Sequence, residues 1–158
     1  MALIKLSNNG VKNITSVGSV GTGDLVFISK ATASASTSAE FTLTSSYKEF
    51  IFYLVNIHNN TDANSFSCNF STDNGSNYNV TKTTSDFIAY HVESGAFEGL
   101  SYRTDGDLAQ STSDQQLLTG SGMGADADQN LGGYLHIFNP SSSTFVKHFL
   151  IRTSVVSD

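Results

Sequence analysis

The stretch that most constrains the chain is Glu49 to Ile57, Glu-Phe-Ile-Phe-Tyr-Leu-Val-Asn-Ile. Periodicity alone would allow a buried helix turn. Its short length and its β-branched and aromatic content decide for a strand. A near-continuous apolar run of this kind predicts burial on both faces, as in the middle of a sandwich.

Other segments carry the same signature more weakly. Phe41 and Leu43 alternate with Thr42 and Thr44, and Phe66, Cys68 and Phe70 alternate with Ser65, Ser67 and Asn69, the period of a half-buried strand. Leu25–Ile28 is a four-residue run of strand type, and Phe87–Val92, Gly133–Phe138 and Thr144–Ser154 read as further strands. Short strands are expected near Leu100–Arg103 and Gln115–Thr119 within the glycine-rich region from Ser94 to Gly133. Between Ser71 and Tyr78 stands Asn74-Gly75, a strong hairpin signal, because a type I′ turn needs positive φ at both central residues. Residues 77–81 are expected to return as the second strand. Pro140 follows the 133–138 strand, where a ladder donor is no longer needed. No βαβ alternation occurs. The expected fold is all-β: an antiparallel β-sandwich, jelly-roll-like, with an extended N-terminal arm.

Two regions are expected. In residues 1–39, Val11, Ile14, Val17 and Val20 recur about every third position, but the interleaved Gly, Ser and Thr oppose a helix. This segment reads as an arm for attachment or assembly, with Leu3, Ile4, Leu6, Val11 and Ile14 as its apolar contacts. Ala31–Ala39 is an Ala/Ser/Thr linker into the β-domain of residues 40–158.

Composition narrows the function classes. Charged residues are 14% of the chain, against roughly 25% in an average domain, so Ser, Thr, Asn and Gly must cover the surface. The net charge of −6, with eight scattered basic residues, argues against binding to nucleic acid or to an anionic membrane. No apolar run approaches a membrane span, and no secretory leader is evident, so a soluble chain made in a cytoplasm is expected. The single cysteine, Cys68, excludes an intrachain disulfide and reads as a small buried hydrophobe.

Chemical motifs are sparse. The four histidines, His58, His91, His136 and His148, form no zinc signature. Asp105-Gly106-Asp107 and Asp126-Ala127-Asp128 lack the EF-hand spacing; Asp126 and Asp128 are the better Ca²⁺ candidates, and solvated loop charges are the simpler account. No nucleophile elbow, P-loop or placed carboxylate pair is present, so an enzyme is not expected and no resident cofactor is implied. The tyrosines suit sugar contact, since aromatic faces stack on apolar sugar faces. Tyr78, Tyr90 and Tyr102 are the candidates for glycan or host contact, against the simpler role of packing.

A family resemblance appears at Phe50–His58 and Asp73–Asn79, runs through the stretch Tyr47–Tyr102, continues at Asp107–Thr112 and Phe138–Ser142, and closes at Val146–Phe149. They resemble a domain of virion structural, tail-fibre-like proteins of marine tailed phages of the cyanophage and pelagiphage type, and Leu3–Asn9 resembles the start of short tail-fibre-like proteins. The resemblance covers about two thirds of the chain. It implies a structural component of a phage virion, most simply a tail fibre or appendage subunit that docks by its N-terminal arm and contacts the host surface. Partners would be further copies of the chain, a homotrimer by analogy with fibres, and other virion proteins. The alternatives are a head decoration protein that stabilises the capsid and a carbohydrate-binding module. Proteins of this kind usually continue with more strands after the segment like Val146–Thr153, so an open sheet edge or a partner strand is expected here.

Overall fold

The computed structural model describes residues 25–120 and 122–156. The chain divides into two units, Met1–Ala39 and Glu40–Asp158. The apolar contacts expected of the arm, Leu3, Ile4, Leu6, Val11 and Ile14, lie outside the described residues. In the first unit, Leu25–Ile28 forms no strand, contrary to its apolar run. Four apolar residues become a strand only where a ladder partner stands beside them.

The described part of the second unit is all-β. Its nine strands are β1 (Glu49–Ile57), β2 (Ser67–Cys68), β3 (Lys82–Thr84), β4 (Phe87–His91), β5 (Glu98–Tyr102), β6 (Leu108–Ser111), β7 (Gln116–Leu117), β8 (Leu131–Phe138) and β9 (His148–Val155). They form four antiparallel sheets: β1-β8-β9, β2-β7, β3-β6 and β4-β5.

The three-stranded sheet holds most of the core. β8 is its centre, with Phe50 opposite Ile137 and Phe52 opposite Leu135 on one side, and Ile137 opposite Phe149 and Leu135 opposite Ile151 on the other. Opposed residues share a face, so these side chains form one apolar layer. Phe50, Leu135 and Ile137 are buried there, and Leu131 is fully enclosed. Gly133 shares that face by alternation, and it carries no side chain because a Cβ would overlap the Arg152 carbonyl and the Thr153 backbone. Leu118 and Met123, also buried, extend the apolar interior.

Several expectations are corrected by this arrangement. β1 is an edge strand and not a central one, and among the described residues nothing covers the face opposite Phe50. Tyr53 and Val55 are exposed, and the register breaks between Leu54 and Ile57, where Asn56 takes a left-handed φ of 51°. Phe41 and Leu43 make no ladder; Phe41 instead sets its ring edge-to-face on Phe52, centroids 5.3 Å apart. The Asn74-Gly75 turn has the expected backbone, with φ of 57° and 82°. The flanking segments do not pair with each other, however. β2 pairs with β7, and residues 77–81 are not a strand. Side chains close the turn instead of a ladder. The Ser71 hydroxyl donates to Asp73 Oδ1 at 2.7 Å, and Asp73 accepts from the Asn77 backbone N–H at 2.8 Å and from Asn77 Nδ2 at 2.6 Å. β6 stands where the glycine-rich region gave no strand signal; it pairs with the polar Lys-Thr-Thr of β3.

Candidate functional site: an anchored hairpin with uncovered faces

β4 and β5 form a hairpin in unbroken register, Phe87 opposite Tyr102, Ala89 opposite Leu100 and His91 opposite Glu98. Beyond the strands, the Val92 N–H donates to the Phe97 carbonyl at 3.0 Å. Gly95, at a φ of 70°, lets the four-residue loop turn within that pair.

The base of the hairpin is clamped. The Arg103 guanidinium donates to Asp86 Oδ2 at 3.2 Å, to Asp105 Oδ2 at 3.0 Å and to the Thr119 carbonyl at 3.0 Å. Its backbone N–H also donates to the Asp86 carbonyl at 2.9 Å. The charge beside it holds the Asp105 carboxyl below its ordinary range, mainly through the hydrogen bond from Arg103. Buried Gln116 donates from Nε2 to the Gly106 carbonyl at 3.1 Å, and Ile88 lies against Gly120. One strand of the hairpin enters this knot at Asp86 and the other leaves it at Arg103.

Away from that base the hairpin is apolar and uncovered. Phe87 is 67% exposed, Leu100 77% and Phe97 69%. The alternation puts Phe87, Leu100 and Tyr102 on one face and Tyr90, Val92 and Phe97 on the other. A two-stranded ribbon is at best marginally stable alone in water, and these side chains leave on the order of 600 Å² of large apolar groups in solvent. Divided over the two faces, that is about 300 Å² a side, the size of the largest patch on a typical monomer.

The structure does not bring the candidate tyrosines together. Tyr90 and Tyr102 share the hairpin but lie on opposite faces. Tyr90 covers Gly99, while Tyr102 stacks edge-to-face on Phe87 at 5.1 Å and donates its hydroxyl to Asp107 at 2.5 Å. Tyr78 folds over Gly75 and hydrogen-bonds Glu40, which raises its pKa, as the bond to Asp107 raises that of Tyr102. Asp126 and Asp128 are exposed, and no group of three metal-ligating side chains occurs among the described residues. The Asp126 loop is closed internally, its backbone N–H donating to Gln129 Oε1 at 2.9 Å and that of Ala125 to Asp62 at 2.6 Å. Among the histidines, His136 approaches Glu49 at 3.2 Å across the outer face of the three-stranded sheet, and His58 Nδ1 meets the Gln129 carbonyl at 2.7 Å.

Periodicity had marked Phe87–Val92 as a strand, but not that its apolar residues would stay uncovered. Burial depends on what packs over a strand, which alternation does not encode. Among the described residues, no helix is long and apolar enough to cross a membrane. Neither a protein-family model, nor a curated protein, nor a solved structure matches the chain.

Proposed function

We propose that the chain is a structural assembly subunit that docks through the β4–β5 hairpin. The observation that carries this is the exposure of Phe87, Phe97 and Leu100 on a hairpin whose base is clamped by Arg103. Side chains held in place but uncovered gain most when a partner covers them, at roughly 25 cal/mol per Å² of apolar surface removed from water. A stable interface needs about 800 Å² from each partner. Each face of the hairpin supplies under half of that in apolar area, so docking draws on both faces and on the polar groups around them.

The resemblance to tail-fibre-like virion proteins makes the assembly a tailed-phage particle and the subunit part of an appendage, a homotrimer by analogy. The jelly-roll sandwich belongs to the same proposal. Four small sheets with open edges become a sandwich when partner strands extend and cover them. Tyr90 and Tyr102 on opposite faces favour protein docking on both sides over one sugar-binding platform.

Light scattering on the full chain tests the subunit reading. The expected result is the mass of three chains, falling to one chain in Phe97→Ser and Leu100→Glu variants that keep the strand circular dichroism of the parent. A parent that stays monomeric across the accessible concentration range would overturn self-assembly through this hairpin.

A further inference from the structure

Lys82 opens β3 and is 3% exposed. Among the described residues it makes no ion pair. Its Nζ is held instead by two neutral oxygens, Asn69 Oδ1 at 2.8 Å and the Val80 carbonyl at 2.9 Å. A buried ammonium without a carboxylate is costly, and such a lysine sheds its proton more readily than one in water. Burial does lower the Lys82 pKa, opposed by Cys68 and Asp114, the titratable groups that act on it. The neutral amine is a nucleophile.

Asn69 is arranged as an acceptor for that nucleophile. Its Oδ1 takes a second hydrogen bond, from the Phe70 backbone N–H at 2.9 Å. Its Nδ2 donates to the Tyr78 carbonyl at 2.8 Å. The amide plane is therefore fixed from both ends, with an N–H aimed at the oxygen that gains charge when the carbonyl carbon is attacked. Holding amine and amide together in this way converts an otherwise very slow bimolecular reaction into an intramolecular one.

We propose that Lys82 and Asn69 react to form an intramolecular isopeptide bond. The neutral Nζ attacks Cγ of Asn69, and the new C–N bond gives a tetrahedral intermediate whose oxyanion the Phe70 N–H stabilises. A proton moves from Nζ to Nδ2, the Cγ–Nδ2 bond breaks, and ammonia leaves. Nothing is oxidised or reduced, and no co-reactant is consumed. The product is a secondary amide that closes the loop carrying the Asn74-Gly75 turn and removes a buried charge. This chemistry is independent of what the chain assembles with, although a covalently closed loop suits a protein exposed outside a cell.

Mass spectrometry of the full chain, purified folded, decides the matter. The expected mass is below that of the sequence by one ammonia. Trypsin should no longer cut after Lys82, and fragment ions from within residues 69–82 should be missing. A succinimide at Asn74 loses the same mass, but it leaves Lys82 cleavable and is cut by hydroxylamine between Asn74 and Gly75; finding that product alone would overturn the proposal. Lys82→Arg and Asn69→Ala should each restore the full mass. A folded parent with its full mass and a cleavable Lys82 would equally refute the bond.

Discussion

At the scale of single residues, the local environments of Cys68 and Asp73 differ in a way the sequence alone does not show. Burial pushes the Cys68 thiol up to about 11, with Lys82 opposing, so it remains a neutral thiol throughout the physiological range. The side chain is half-buried in β2, less enclosed than its reading as a small buried hydrophobe implied. Asp73 is exposed, yet hydrogen bonds from Asn77 and Ser71 bring its carboxyl down from 3.8 to about 2. A carboxyl whose folded value is depressed stabilises the fold above its unfolded value and loses that contribution as pH falls toward the folded one. The turn should therefore hold at pH 4 and loosen as pH approaches 2. A carboxyl titration by NMR should place the Asp73 midpoint near 2, with the Asn77 amide losing its hydrogen-exchange protection over the same range. A midpoint at the ordinary aspartate value would show that the side-chain network does not form in solution. Asn74-Gly75 correctly signalled a turn with positive φ. The network that closes it, in place of a hairpin ladder, was not legible, because it depends on how Ser71, Asp73 and Asn77 point.

At the scale of elements, the hairpin depends on its anchor more than on its own ladder. The Arg103 side chain is 11% exposed and its partner Asp86 20%, so their pair is largely withdrawn from water. Removing one member of such a pair leaves the other charge uncompensated. Arg103→Met should therefore cost about 3 kcal/mol in denaturant unfolding. Amide exchange in β4 and β5 should rise before that of β8. Equal loosening of β8 would mean that the hairpin is no separate unit; no effect at all would mean that the clamp is solvated. The elements themselves were unevenly legible. β1, β4, β8 and β9 are long runs whose periodicity marks them. β2 and β7, two residues each, fall within the alternation at Phe66–Phe70 and the short strand expected at Gln115–Thr119, whereas β3 and β6 are three and four residues long, largely polar, and paired across segments distant in sequence. Such ladders form because the longer strands bring their segments together, and no local pattern encodes that. The contact between Lys82 and Asn69 was hidden for the same reason, since it joins β3 to the residue that follows β2.

For the Glu40–Asp158 unit as a whole, the balance of covered and uncovered apolar residues bears on its stability. Among the described residues, six apolar side chains are buried, while Tyr53, Phe87, Phe97, Leu100, Phe145, Val146 and Leu150 are each at least 60% exposed. Net stability is a small difference between burial and lost conformational entropy, so a unit that leaves this much apolar surface in water forgoes a large part of its favourable side. Covering that surface in the proposed assembly would supply further stabilisation, and stability linked to assembly depends on concentration by mass action. The melting temperature of the full chain should rise with protein concentration over a hundredfold dilution series. Leu100→Glu should abolish that dependence and melt at the low-concentration limit of the parent, because it removes the docking surface without touching a buried contact. Leu135→Ala should act differently. It opens a cavity in the packed face of the sheet, lowers stability by about 2–5 kcal/mol at every concentration, and leaves the concentration dependence in place. A parent whose melting temperature is independent of concentration would instead mean that the small core suffices alone, and that the exposed hairpin residues serve contacts other than those between copies of the chain.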